Sequence, residues 1–326
     1  MITFTLALLL LIGGYFIYGR YVERVFAPDA SRKTPAITQA DGVDFIRLPN
    51  WKIFMIQFLN IAGLGPIFGA IMGAQFGTAS YLWIVLGTIF AGAVHDFFSG
   101  ALSIRNGGES LPEIVGRYLG MTTKKVMTVF TMILMILVGA VFVSGPAELI
   151  AGMTPDWMDA YFWIIVIFLY YVLATLMPVD KIIGKIYPLF AIALLFMAVG
   201  ILVMLYVKNP ELPEMWNGFG TKYEANPIFP MMFISIACGA ISGFHATQSP
   251  LMARCMKHEK HCRPIFYGAM VAEGIVALIW AAAATYFFQE NGIVDQLTGK
   301  AFSGAAVATR ISNEWLGAFG GILAIL

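Results

Sequence analysis

Charge is what this chain has least of. Asp, Glu, Lys and Arg make up 12% of its 326 residues, where a soluble domain carries about 25%. With 59% hydrophobic residues and a mean hydropathy of +0.79, that scarcity excludes a water-soluble globular protein and leaves a polytopic helical membrane protein. Cysteine is scarce too. Cys238, Cys255 and Cys262 share no repeated spacing, so no disulfide framework is built on them. There is no low-complexity tract and no solenoid repeat. No HExxH zinc helix occurs. The apolar stretch Ile2 to Tyr18 lacks a basic leader and a small-residue cleavage site, and is expected to stay as a first helix. The net charge of +1 says nothing about partners. No cofactor, metal, enzymatic activity or nucleic-acid partner is expected.

What the chain has is hydrophobic runs, near 2–20, 52–75, 80–103, 125–150, 160–178, 183–207, 228–253 and 264–288. About 20 apolar residues cross a bilayer. A ninth run starts near Trp315 and holds only about eleven residues before Leu326, too few to cross at about 1.5 Å each. The chain is therefore expected to end inside a membrane segment. Orientation follows from the basic residues. The loops after spans one, three, five and seven hold 16 of the 20 Lys and Arg, among them Arg20, Arg105, Lys181, Lys185, Arg254 and Lys260. The alternate loops hold only Lys208, Lys222, Lys300 and Arg310. That split places the N-terminus outside. Trp157, Trp216 and Tyr223 fall where interfacial aromatics belong. Residues 21–50, polar and rich in proline, read as an extended cytoplasmic link.

Two spans are badly made helices. In WKIFMIQFLNIAGLGPIFGAIMGAQ, Pro66 removes a backbone donor and crowds the carbonyl near Ala62, and Gly63 and Gly65 each cost about 1 kcal/mol relative to Ala. Span 228–253 has the same character through Cys238-GAISGF-His245, with Pro250 closing that stretch. By the loop charges the two run in opposite directions, five spans apart. Backbone freed at membrane depth is tolerated only where protein or a watery cavity satisfies it. Two such breaks point to an inverted-repeat transporter with its site at the midplane.

Candidate site residues follow from that reading. Asn60, Gly63, Gly65 and Pro66 would offer amides and carbonyls to a substrate carboxylate or a cation. Ser242, Gly243, His245 and Gln248 would add substrate contacts, with Ser242, His245 and Ser249 on one stripe if the segment stays wound. His95, Asp96 and Glu273 are ionisable groups inside spans, and such groups are candidates for moving ions or protons. Interhelical hydrogen bonding would account for many of these side chains equally well. Cys255-MKHEKH-Cys262 has metal-ligand residue types but no second half, and reads as a solvated inner loop.

Asn60-IAGLGPIFG-Ala70, Ala91-GAVHDFFS-Gly100, Cys238-GAISGFHATQSPLMAR-Cys255 and Gly268-AMVAE-Gly274 resemble the carbon starvation protein A family, colinearly over essentially the whole chain. The resemblance implies a secondary transporter of short peptides or a small carboxylate such as pyruvate, coupled to H⁺ or Na⁺, in the bacterial inner membrane and used in carbon starvation. That family is similar to the amino acid–polyamine–organocation superfamily. This implies an all-α fold of LeuT-like inverted five-helix repeats after one extra N-terminal helix. The 1–326 chain would then be a single transmembrane domain, with 51–207 as first repeat and 228–326 as the start of an incomplete second one, completed by a C-terminal remainder. A channel or membrane-embedded sensor would use the same spans without coupling. An intramembrane serine hydrolase would need Ser242 and His245 as a dyad.

Overall fold

The computed structural model describes the chain except residues 153, 176–182, 221–226, 295–301 and 326, with only the backbone described for 183–186, 318, 319 and 321–325. Lys181, Lys222, Tyr223 and Lys300 lie outside the described residues. The described chain is helical, with one isolated bridge between Gly77 and Phe219. Its long elements are α1 (Ile2–Phe26), α2 (Asn50–Ile61), α3 (Leu64–Gly73), α4 (Ala79–Gly87), α5 (Ala93–Arg105), α6 (Leu111–Leu119), α7 (Met121–Ala151), α8 (Ala160–Thr175), α9 (Ile183–Lys208), α10 (Ala237–Ala240), α11 (His245–Ala253), α12 (Gly268–Asn291) and α13 (Gly304–Ile325). Five helices are long and apolar enough to cross a membrane, and two bent pairs raise that to seven.

Each bent pair contains one of the glycine-rich segments. Between α2 and α3 the axis turns by 47°. Ala62 ends the first helix, and Gly63 leaves helical geometry with ψ −139°. Pro66 sits in the first turn of α3, where an N–H would have no intrahelical partner in any case. The second pair, 228–235 with 237–253, bends by 69° at Ile236. Its second member is interrupted again at Ile241–Phe244, where Ser242 takes the left-handed conformation (φ 54°). Ser242 is thereby outside α11, so the expected stripe keeps only His245 and Ser249.

The two broken helices touch. A Cβ at Gly65 would come within 2.9 Å of Cys238 Sγ, and one at Gly69 within 2.5 Å of the Ser235 carbonyl. One at Gly239 would lie 3.6 Å from the Pro66 carbonyl. Only glycine permits the approach at Gly69, because the atom it meets is backbone. α12 packs against α1, α2 and α3 and is almost wholly buried, whereas α7 is almost wholly exposed and apolar. Between α4 and α5 the helix widens into a π turn at Thr88–Gly92. Tyr267 Oη donates to the Ile89 carbonyl in that turn at 2.9 Å.

At one end the basic loops come together, and here the structure corrects the sequence reading of 254–263 as a solvated loop. Glu259, Cys255 and Cys262 are buried. Arg105 Nε donates to Glu259 Oε1 at 2.7 Å, and the Asp29 amide donates to Oε2 at 2.6 Å. Arg105 Nη2 donates to the carbonyls of Phe26 and Ala27, both at 3.0 Å. Thr34 Oγ1 donates to the Met256 carbonyl at 2.5 Å, and the Leu48 amide to that of Cys255 at 3.2 Å. The segment 27–49 straps over the ends of α5 and α11, because a carboxylate placed among cations and open amides gathers them. Among the described residues no three His, Cys, Asp or Glu converge as a metal site.

At the other end Glu214 caps α1. Its carboxylate accepts from the Met1 ammonium at 2.5 Å, the Ile2 and Thr3 amides at 2.8 and 2.7 Å, and Thr3 Oγ1 at 2.5 Å. The last helix begins at Gly304, not near Trp315, and bends at Gly317 (φ 68°).

Two outcomes are expected. Partial burial pushes the Glu214 carboxyl up, but its donors outweigh that and hold it at about 2, against an ordinary 4.5. A carboxyl lowered on folding contributes stability that is complete above its unfolded value and disappears as pH falls through the folded one. Protection of the Ile2 and Thr3 amides from hydrogen exchange, taken relative to the intrinsic rate at each pH, should therefore fall from about pH 5 to about pH 2, and Glu214→Gln should remove that dependence. Arg105→Ala strands the buried Glu259 carboxylate. It should cost about 3–5 kcal/mol, read as a lowered melting midpoint in detergent, and the double variant Arg105→Ala/Glu259→Gln should recover part of it.

Candidate functional site

Asp96 is fully buried in α5, one turn beyond the π turn. It is held by two other helices. Gln57 Nε2 on α2 donates to Asp96 Oδ1 at 2.9 Å and to Ser249 Oγ at 3.0 Å. Ser249 on α11 donates to the same Oδ1 at 2.5 Å. Oδ2 is buried without a hydrogen bond, and so is the atom facing it, His245 Nε2, 3.7 Å away. The other imidazole nitrogen of His245, Nδ1, lies 3.2 Å from Nδ1 of His95. His245 is fully buried, while His95 is exposed. Five side chains from three helices thus form one connected polar group inside an apolar bundle. Its four buried members, Asp96, Gln57, His245 and Ser249, are shielded from solvent, so each polar contact among them is stronger than in water.

Of the residues expected to act, the structure brings Asp96, His95 and His245 together. Glu273 on α12 is fully buried, with neither carboxylate oxygen hydrogen-bonded. It is within electrostatic reach of Asp96 and of Cys238 but does not join the cluster. Its neighbour Gly274 meets Thr88 of the π turn. Gln248 and Gly243 stand outside the polar group, Gln248 half-buried and Gly243 exposed. Ser242 Oγ is buried and unpartnered. Since both nitrogens of His245 face elsewhere, Ser242 has no base, and the hydrolase dyad is not formed.

Asn60 turns away from Asp96 and donates to the Ile56 carbonyl at 2.7 Å. With Gly63 it lines a cavity of about 280 Å³ together with Phe142, Tyr171, Tyr187 and Met197. Pro66 is buried and Gly65 half-buried beside the second broken helix. Phe142 links the two breaks: it lies 3.9 Å from a Cβ placed at Gly63, and its ring centroid is 5.4 Å from that of Phe244. The cavity is mostly apolar with a few polar groups converging on it, the usual character of a small-molecule site.

Sequence reasoning missed Gln57, the amide that joins all three helices. Its signal was an uncharged polar residue in an apolar run, one turn before Asn60 and so on nearly the same face.

Fold and site together define a polytopic, all-helical membrane protein built round two contacting broken helices. The chain belongs to the carbon starvation protein CstA family, whose model matches residues 1–156 and 154–316. It is similar, at 43% identity over 89% of this chain and 92% of the relative, to an uncharacterized membrane protein of Haemophilus influenzae. It is 30% identical to the peptide transporter CstA of Campylobacter jejuni and 28% identical to the pyruvate/proton symporter BtsT of Escherichia coli. These two matches cover 82% and 83% of this chain but 47% of each transporter, so the chain spans about half the length of the named transporters. No solved structure matches it.

Removing Gln57 should loosen the whole group. Gln57→Leu is expected to cost about 1–3 kcal/mol, since it takes one donor from a buried carboxylate. The cost of Gln57→Leu combined with Ser249→Ala should differ from the sum of the single costs by about 0.5 kcal/mol or more. A thermal double-mutant cycle in detergent measures both.

Proposed function

We propose that this chain is a proton-coupled secondary transport unit for a small carboxylate such as pyruvate, or a short peptide, working by alternating access across the bacterial inner membrane. The observation that carries this reading is Asp96: a carboxylate buried in mid-helix, gripped by side chains from both broken helices. Buried ionisable groups in membrane helices mark ion and proton pathways, and a group held by both broken elements feels any movement between them. The names of the related transporters support the substrate class. A proton suits the site better than Na⁺, because the open side of Asp96 faces an imidazole nitrogen and not a set of oxygen ligands.

In this reading the cavity at Asn60 and Gly63 takes the substrate, and Phe142 reports its occupancy to the second break through Phe244. Residues 51–207 act as the first of two inverted five-helix repeats, and 228–326 as the beginning of the second. The N-terminus lies outside. Support for that orientation comes from the meeting of three basic loops at one end, through Arg105, Glu259 and Arg254, while α1 is capped at the other.

The test is uptake of radiolabelled pyruvate and of dialanine into proteoliposomes holding the chain. A gradient of one pH unit supplies about 1.4 kcal/mol, enough for roughly tenfold accumulation of a symported solute. The native chain should accumulate one of the two probes under an inward proton gradient. Asp96→Asn should equilibrate that probe without accumulating it. Full accumulation by Asp96→Asn would remove Asp96 from coupling, and equilibration without accumulation by the native chain would favour the channel reading.

A further inference from the structure

Three side chains in the cluster have a geometry that binding of one proton at Asp96 does not require. His95 and His245 face each other through Nδ1 atoms 3.2 Å apart. In two neutral rings so placed, one Nδ1 must donate and the other accept. Beyond His245 its second nitrogen faces Asp96 Oδ2 at 3.7 Å, and neither atom has another hydrogen-bond partner. Oδ1, by contrast, is occupied by Gln57 and Ser249. The chain of groups thus has an exposed end, His95, and a buried end, Asp96, with a fully buried imidazole between them.

We propose that His95 and His245 form the proton route to Asp96, with His245 as relay and not as a substrate contact. This rests on the reading of Asp96 as proton carrier. The starting tautomers are His95 with its proton on Nδ1 and His245 with its proton on Nε2. Water protonates His95 at Nε2. The Nδ1–H bond of His95 breaks as an N–H bond forms at Nδ1 of His245. The Nε2–H bond of His245 then breaks as an O–H bond forms at Asp96 Oδ2. One proton has left water, Asp96 has become neutral, and both rings are neutral in the opposite tautomer. They return by rotation or by exchange with water. The last step needs the 3.7 Å gap to close to hydrogen-bond length, about 2.7–3.2 Å, a small shift of the His245 ring towards the Asp96 carboxyl. The other groups facing Asp96 are neutral Gln57 and Ser249, and from α12 the carboxyl of Glu273, neither of whose oxygens is hydrogen-bonded.

The experiment is a pH jump on the purified full chain without substrate, following the infrared carbonyl band of protonated Asp96. The band is identified by its loss in Asp96→Asn and its persistence in Glu273→Gln. In the native chain it should rise promptly after acidification. In His95→Gln and in His245→Gln it should reach the same amplitude at least about tenfold more slowly, since a positioned acid–base group contributes typically 10²–10⁴-fold to proton transfer. Because His95 is exposed, imidazole added to His95→Ala should restore the rate, which a merely structural role would not allow. Unchanged rates in both Gln variants would overturn the relay while leaving Asp96 as carrier. Absence of an Asp96 band at every pH would overturn the carrier reading, and the relay with it.

Discussion

A charged side chain in the middle of a helix bundle has to be satisfied by groups that its own helix cannot offer. Asp96 depends on donors far away in sequence, Gln57 from the first broken helix and Ser249 from the second. This demand orders much of the rest. It requires α2 and α11 to lie against α5 at one level, and α10 passes close to α4 and the π turn. Glycines at 87 and 92 permit that approach, where a Cβ would meet Ala240. The π turn before Asp96 fits the same demand, since such turns re-aim the residues that follow and occur often at functional sites.

Close backbone approach is the usual way membrane helices associate, because lipid offers no hydrophobic drive between them. Here it operates between interrupted elements. Gly65 and Gly69 are poor helix formers and also the residues that let the two broken helices meet, while Gly239 makes room for Ala277 of α12. One set of substitutions to larger side chains would mend the helices and separate them, so a continuous helix at either position is incompatible with this packing.

The spans and both breaks were legible in the sequence because hydropathy and Gly/Pro chemistry are local. Membership of the polar group was only partly so. Asp96 and His95 stand out as ionisable residues in an apolar run, whereas Gln57 carries no charge and was passed over. His245 was read with Ser242 by helical spacing, but the left-handed turn at Ser242 removes it from the helix and leaves His245 facing α5. Which face of one helix meets which face of another depends on crossing geometry that periodicity does not contain. The inner loop misled for a related reason: a segment rich in Lys, His and Glu looks solvated until the position of Arg105 relative to Glu259 is known.

The strap of residues at the ends of α5 and α11 has a mechanical consequence. Those two helices are joined at mid-length through Asp96 and Ser249, and again at the end that carries the basic loops, where Arg105 grips Glu259 and Arg254 Nε donates to the Gly108 carbonyl at 2.9 Å. Two bodies pinned at one point can pivot, whereas pinned at two separated points they turn as one lever. With both pins in place, the pair can tilt only as a unit against its surroundings. Independent motion of α5 requires that one pin be released first.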